Sequence, residues 1–268
     1  MAYEILVLDI DGTLTNTEKN ITEDTLQAIR NIQDRGHKVV LASGRPTPGI
    51  RPIAEQLEMS KYGGYILSFN GAKIIDCKTN ETIYQKVLPH ELIPAIYNAA
   101  LEFKTGLITY DDDEVIAATD VDDYIIKETK INHISYRQVK NFVEYITFDV
   151  NKCLMTGEPE HLAEVENALK KRFEGQLNIF RSEPFFLEIV PLHVDKAESL
   201  GKLLDHLHLS KEQMISCGDG YNDITMIQYA GMGVAMANAQ QKVKEVADYI
   251  TLSNDEDGVA HVINEFML

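Results

Sequence analysis

Ile5-Leu6-Val7-Leu8-Asp9-Ile10-Asp11-Gly12-Thr13 joins an unbroken hydrocarbon run to two carboxylates. Four consecutive apolar residues of strand length are the mark of a β-strand covered on both faces. The residues that follow imply more of the same kind. Thr22 is placed to cap a helix in which Leu26, Ile29 and Ile32 recur at helical spacing, and Gly36 ends it. A strand is predicted over 38–42, a helix around Ile53 to Leu57, and a strand over 65–69. This βαβαβ order implies a parallel sheet with right-handed crossovers.

The same pattern returns near residue 190. A helix over 196–207 precedes a strand over 214–217, a helix over 223–230 and a short strand over 233–236. A helical stretch at 241–246 and the run Tyr249-Ile250-Thr251-Leu252 follow. Both ends thus read as one Rossmann-like α/β core, a doubly wound parallel sheet, from residues 1–84 and 189–268. Between them, 85–188 reads as an inserted α+β cap domain, with Pro89 and Pro191 near its hinges. Helices are expected at 90–103 and 159–173, and hairpins pair 107–110 with 115–118 and 177–181 with 185–190. Alternating segments such as Tyr145-Ile146-Thr147-Phe148 lie between.

At 268 residues the chain suits about two domains of ordinary size. Its 25 basic and 42 acidic residues leave a net charge of −17. Such a field repels nucleic acid and anionic lipid, so neither is expected as a partner. No apolar run reaches membrane-spanning length, and Met1-Ala2-Tyr3-Glu4-Ile5 lacks the basic start of a signal peptide. The 3 cysteines, Cys77, Cys153 and Cys217, are far apart and form no CxxC pair. That usage suits a reducing cytoplasm.

The ends of the apolar runs carry the chemistry. They read Asp9-Ile10-Asp11-Gly12-Thr13, Ser43-Gly44-Arg45, Asn70-Gly71 and Gly218-Asp219-Gly220-Tyr221-Asn222-Asp223. In a parallel sheet the carboxyl ends share one edge, and open α/β folds bind ligands there. On an extended strand Asp9 and Asp11 face the same way, while Ile10 points into packing. Such a pair can divide labour as nucleophile and acid/base, or hold a hard cation such as Mg²⁺ that Asp219 would complete. Asp-Gly also serves plain tight turns. Ser43-Gly44 can present a hydroxyl and backbone N–H groups to a phosphate, or be an ordinary turn. Lys196, opening a helix, can neutralise an anion or be a solvated charge. Other signals fall away. There is no phosphate-binding GxxxxGK[ST], and 218–223 lacks the further oxygens of a calcium loop. His206 and His208 do not share a helix face, and the acidic runs at 111–114 and 122–123 read as a solvated loop and a helix start.

In this order, these four strand ends and Lys196 resemble the haloacid dehalogenase superfamily of phosphotransferases. The large insertion after Asn70-Gly71-Ala72 is similar to that of its Cof-type subgroup with a C2 cap. The resemblance covers essentially the whole chain. It implies a phosphomonoester hydrolase acting on a small phosphorylated metabolite, with sugar phosphates as candidates. Asp9 would become an aspartyl phosphate; Asp11 would protonate the leaving alcohol and then activate water. Mg²⁺ would lie between Asp9, the Asp11 carbonyl and Asp219, supported by Asp223. Ser43, Gly44, Lys196 and Asn222 would hold the phosphate, and Arg45 would reach the substrate or the closed cap, which excludes water during transfer. Lys196 precedes Ala197 where the family often has glycine. Two alternatives remain on this fold: a phosphomutase or phosphotransferase, for which Arg137 and Arg181 are loose second-phosphate candidates, and a non-catalytic phosphometabolite-binding module.

Overall fold

The computed structural model describes residues 3–111 and 114–268. Met1 and Ala2 of the leader reading, and Asp112 and Asp113 of the acidic run, lie outside the described residues. The chain forms two compact units, one of residues 1–45, 50–84 and 195–268, the other of residues 46–49 and 85–194.

Strands β1 (Ile5–Leu8), β2 (Lys38–Ala42), β3 (Tyr65–Ser68), β4 (Lys73–Asp76) and β5 (Thr82–Gln85) come first. They are followed by β6 (Gly106–Tyr110), β7 (Glu114–Ala117), β8 (Ser135–Gln138), β9 (Cys153–Thr156), β10 (Leu177–Glu183) and β11 (Phe186–Pro191). The chain then returns with β12 (Met214–Gly218), β13 (Met232–Ala235) and β14 (Tyr249–Ile250). The longer helices are α1 (Glu23–Asp34), α2 (Thr47–Gln56), α3 (Ile93–Phe103), α4 (Asp123–Asn132), α5 (Pro159–Arg172), α6 (Lys196–Leu207), α7 (Ile224–Tyr229), α8 (Gln241–Val246) and α9 (Gly258–Phe266).

In the first unit the strand order is β14-β13-β12-β1-β2-β3-β4-β5. The sheet is parallel from β14 to β3, and β4 turns antiparallel to β3. All of β1 is fully buried, as a central strand covered on both faces requires. Strands β2 and β3 step away from β1 on one side and β12 to β14 on the other. The winding therefore reverses at β1, where doubly wound folds open a crevice at the carboxyl ends. Leu8 is level with Leu41 on β2 and with Cys217 on β12, so the residues after each strand start from one line. Thr22 caps α1 by accepting from the Thr25 N–H.

The second unit is built on the order β10-β11-β9-β6-β7-β8, antiparallel except for the parallel pair β7–β8. Leu107, Met155 and Leu187 on the sheet pack with Ile96 of α3 and Leu162 and Val165 of α5 in a separate core. Among the described residues, no helix is long and apolar enough to cross a membrane.

Several expectations need correction. Ile189, Val190 and Pro191 pair with Cys153, Asn178 and Leu177, so the chain leaves the second unit after Val194 rather than at 188. Pro89 and Pro191 thus lie inside that unit. Helix α2 begins at Thr47 rather than near Ile53. Pro48 is its second residue, where no N–H is required, and Pro52 lies within it. Tyr145 ends a single helical turn over Phe142–Tyr145, and residues 146–148 join no strand. Their apolar side chains serve as anchors instead, with Phe142 and Ile146 buried in the second core. Strands β4 and β5 and helix α9 were not anticipated; the strands are short, whereas Val259, Val262, Ile263 and Phe266 of α9 do recur at helical spacing.

Candidate active site

The Asp9 N–H donates to the Cys217 carbonyl at 3.0 Å, carrying the β1–β12 ladder one residue past the strand and fixing where its carboxylate starts. Ile10 is fully buried, and the chain doubles back, with the Leu14 N–H on Asp9 O and the Thr15 N–H on Ile10 O. Gly12 makes the turn at φ +87°, and a Cβ there would approach Asp219 Oδ2 to 2.5 Å, so both backbone angle and space require glycine. Thr13 Oγ1 donates to Asp219 Oδ1 at 2.9 Å, tying the turn to the end of β12.

Lys196 is the first residue of α6, whose start is fixed by Asp195 accepting from the Glu198 N–H. Only 1% exposed, its Nζ donates to Asp9 Oδ1 at 2.8 Å, Asp223 Oδ1 at 2.6 Å and Ala42 O at 2.7 Å. All three ammonium protons are thereby used. The other Asp223 oxygen, Oδ2, accepts from the N–H groups of Asp219 and Gly220 and shapes the loop after β12.

The electrostatics are unbalanced. Oxygens of Asp9, Asp219 and Asp223 all lie within 4.8 Å of one another around a single ammonium. Burial, then repulsion from Asp223, push the Asp9 carboxyl well above the usual carboxylate range against the pull of Lys196. Burial also pushes Asp219 up to about 6, opposed by the hydrogen bond from Thr13 and reinforced by Asp223. Burial alone would lower Lys196, but Asp223 and Asp9 outweigh it and keep the ammonium charged. A set of hard oxygen ligands with surplus negative charge is compatible with a metal ion.

Asp11 is not part of that carboxylate group, although it was expected to face the same way as Asp9. Strand β1 ends at Leu8, and the Asp11 side chain turns to two cations. Arg45 grips it with Nε on Oδ2 at 2.8 Å and Nη2 on Oδ1 at 2.7 Å, while Lys19 Nζ reaches Oδ1 at 2.9 Å. Burial would raise this carboxyl, but Arg45 and then Lys19 hold it below its ordinary value. Lys19 was not anticipated. Its aim depends on a left-handed turn residue, φ 65°, that nothing marks among the other lysines.

Ser43 continues β2, donating its N–H to Leu67 O and accepting the Arg45 N–H on Oγ at 3.2 Å. Asn222 Nδ2 donates to Asn70 Oδ1 at 3.1 Å, and the Asn70 side chain lies over Gly44. The ends of β1, β2, β3 and β12 and the start of α6 are thus joined by side-chain contacts. Arg137 and Arg181 are engaged on the surface of the second unit by Glu114 and Glu166. The cysteines are free thiols, each pushed up to about 12 by burial.

A family of haloacid dehalogenase-like hydrolases matches residues 6–263. The chain belongs to this family. It is 33% identical over 265 residues, 99% of the chain and 96% of the relative, to the 5-amino-6-(5-phospho-D-ribitylamino)uracil phosphatase YcsE of Bacillus subtilis. Among solved structures it is similar to a haloacid dehalogenase-like hydrolase from Bacteroides thetaiotaomicron, with TM-score 0.95, 48% identity and coverage of 98% and 99% of the two chains. The haloacid dehalogenase subclass IIB sugar phosphatase BT4131 superposes with TM-score 0.80 at 27% identity, with 98% of each chain covered.

Proposed function

We propose that this hydrolase is a Mg²⁺-dependent phosphatase that removes phosphate from small phosphorylated metabolites, sugar phosphates among them, in the cytoplasm. The observation that carries this reading is the Asp9–Lys196–Asp223 arrangement, with Asp219 beside it, at the edge where the sheet winding reverses. The phosphorylated ribityl chain in the name of the Bacillus relative and the sugar phosphatase structure support the substrate class. Residues 46–49 and 85–194 correspond in this reading to the inserted cap.

Asp9 is the nucleophile. Its carboxylate attacks phosphorus, the ester oxygen departs with a proton from Asp11, and an aspartyl phosphate forms. Asp11 then takes a proton from water, whose oxygen attacks the same phosphorus and frees Asp9 and inorganic phosphate. Arg45 and Lys19 hold Asp11 as a carboxylate, the form suited to the second step. In the first step a phosphate dianion offers Arg45 a bidentate partner, and release of Asp11 allows it to carry the proton. Ser43, the Gly44 backbone and Asn222 hold the phosphate oxygens, and Lys196 joins them by exchanging one of its three present acceptors for a phosphate oxygen.

The side chains of Asp9 and Asp219 and the Asp11 carbonyl would hold Mg²⁺, with Asp223 behind them. The ion supplies positive charge that lets an anionic nucleophile approach an anionic phosphate. The test of the whole reading is phosphate release from p-nitrophenyl phosphate and a panel of phosphorylated metabolites, with Mg²⁺ and with chelator. Release that requires the metal is expected; none from any ester in Mg²⁺ would refute it.

Stability should report the same carboxylates. Asp219 has a folded pKa of about 6 against an ordinary 3.8, so the folded state binds the proton more tightly. Metal-free stability therefore falls as pH rises through that window. Mg²⁺ competes with the proton, so its stabilisation grows over the same interval. Saturating Mg²⁺ is expected to raise Tm by about 5–10 °C near pH 7.5 and much less near pH 5. An equal shift at both pH values, or none, would count against a metal site on these residues.

A further inference from the structure

Strand β3 ends in an unusual way. Phe69, Asn70 and Gly71 follow one another at φ 53°, 56° and 104°, all in the left-handed region. Glycine accepts this freely and asparagine tolerates it, but a phenylalanine there is strained. The surroundings hold the segment in that form. The Phe69 N–H donates to Arg45 O at 3.0 Å and the Asn70 N–H to Ser43 O at 2.9 Å. On the other side Ser199 Oγ donates to Gly71 O at 2.6 Å, and a Cβ on Gly71 would come within 2.6 Å of Asp195 O. A strained turn is thus stitched both to the Ser43–Arg45 backbone and to the helix that begins with Lys196.

The product of this strain is the position of one amide. The Asn70 side chain lies flat over Gly44, with Nδ2 3.1 Å and Oδ1 3.2 Å from where a Cβ on Gly44 would stand. Its Oδ1 accepts from Asn222 Nδ2, which fixes Nδ2 as the remaining donor group. Among the described residues, no acceptor is found for that nitrogen. The donor sits between the Gly44 backbone and the Asn222 amide, two groups the proposed reaction assigns to phosphate.

We infer that Asn70 is a substrate-binding residue that donates Nδ2 to an oxygen of the phosphate and steadies Asn222 through Oδ1. This rests on the phosphatase reading above. Strain of this kind persists where the surrounding structure enforces it and is concentrated at binding sites. It brings an amide to an anion without adding charge, which suits a site that must bind a phosphate ester and later release free phosphate.

Two substitutions separate the amide from the backbone it stands on. Asn70→Gly keeps the left-handed conformation and removes the amide. Asn70→Asp keeps the shape, the conformation and the acceptor for Asn222, but exchanges the donor for a negative charge. Steady-state kinetics on p-nitrophenyl phosphate with Mg²⁺, inhibition by inorganic phosphate, and melting curves are measured for both. Asn70→Gly is expected to raise KM and the phosphate inhibition constant about tenfold, as for a lost hydrogen bond to a charged group. Asn70→Asp should raise both further, with kcat less affected and Tm close to wild type in each. Wild-type KM and inhibition constants in either variant overturn the inference. If wild type itself releases no phosphate, the reaction assignment fails, and calorimetric titration of inorganic phosphate into the Mg²⁺-loaded protein still tests Asn70. Tenfold weaker binding by Asn70→Gly supports the inference; equal binding, or none to wild type, overturns it.

Discussion

Asp9→Asn is expected to abolish metal-dependent phosphate release, by at least ~10⁴-fold, while leaving the metal-free protein as stable as wild type or more so. The amide is nearly isosteric with the carboxylate but has no lone pair of comparable basicity with which to attack phosphorus. The stability half follows from the crowding of charge. Asp9 is 6% exposed, with Asp223 and Asp219 near it and one ammonium among them. Because burial and Asp223 raise its folded pKa, the ionised form costs stability that is fully felt above that pKa and fades as pH falls through it. Replacing it with asparagine removes that cost, and Lys196 keeps Asp223 and the Ala42 carbonyl as partners. Melting curves in chelator near pH 8 and near pH 5 should show the variant's advantage at the higher value and its decline at the lower. Residual turnover above ~1% of wild type would remove Asp9 from the chemistry. A clear loss of stability would show that the ion pair to Lys196 outweighs the repulsion.

The sequence indicates which strand ends share an edge better than how their side chains are held. Apolar runs that stop at Asp9, Ser43, Asn70 and Gly218 identify strand ends, and the parallel order of the strands brings those ends to one edge. This is legible because hydrophobic periodicity and chain direction are local properties. Lys196 is different: in sequence it is one lysine among others, and only its burial against three oxygens sets it apart. Arg45 illustrates a further limit. Its proximity to a phosphate corner follows from the strand end, but the bidentate grip on Asp11 depends on how the turn after β1 folds back. Strands β4 and β5 were missed because they are short, half-exposed at β5, and take their order from pairing rather than pattern. The same is true of 145–148, where alternation came from anchoring contacts and not from a sheet. The net charge of −17 is likewise no obstacle to an anionic substrate, since Lys196, Arg45 and Lys19 all lie against the two aspartates that follow β1.

Lys196→Met is expected to be the most damaging single substitution for stability at this site. A buried ion pair is weak evidence of net stabilisation, but removing one partner leaves the other charge buried without compensation, at a cost of about 3–5 kcal/mol. Here the ammonium serves two carboxylates and a carbonyl, all at 2.8 Å or less, so its loss strands more than one acceptor. A fall in Tm of about 10 °C is expected in chelator, with catalysis reduced at least ~10³-fold because the phosphate loses its fixed cation. Lys196→Arg should not rescue it, for the planar guanidinium cannot replace an ammonium aimed at three converging acceptors in a slot with no exposed side-chain surface. If stranded charge is the cause, Asp9→Asn must raise Tm by more in the Lys196→Met background than it does in wild type. Asp9→Asn in the Lys196→Met background should recover several degrees of Tm, and Mg²⁺ should recover a similar amount in Lys196→Met alone, while neither restores turnover. An equal Tm change from Asp9→Asn in both backgrounds would show that Lys196 acts through packing of its carbon chain, and the electrostatic account of the site would then have to be abandoned.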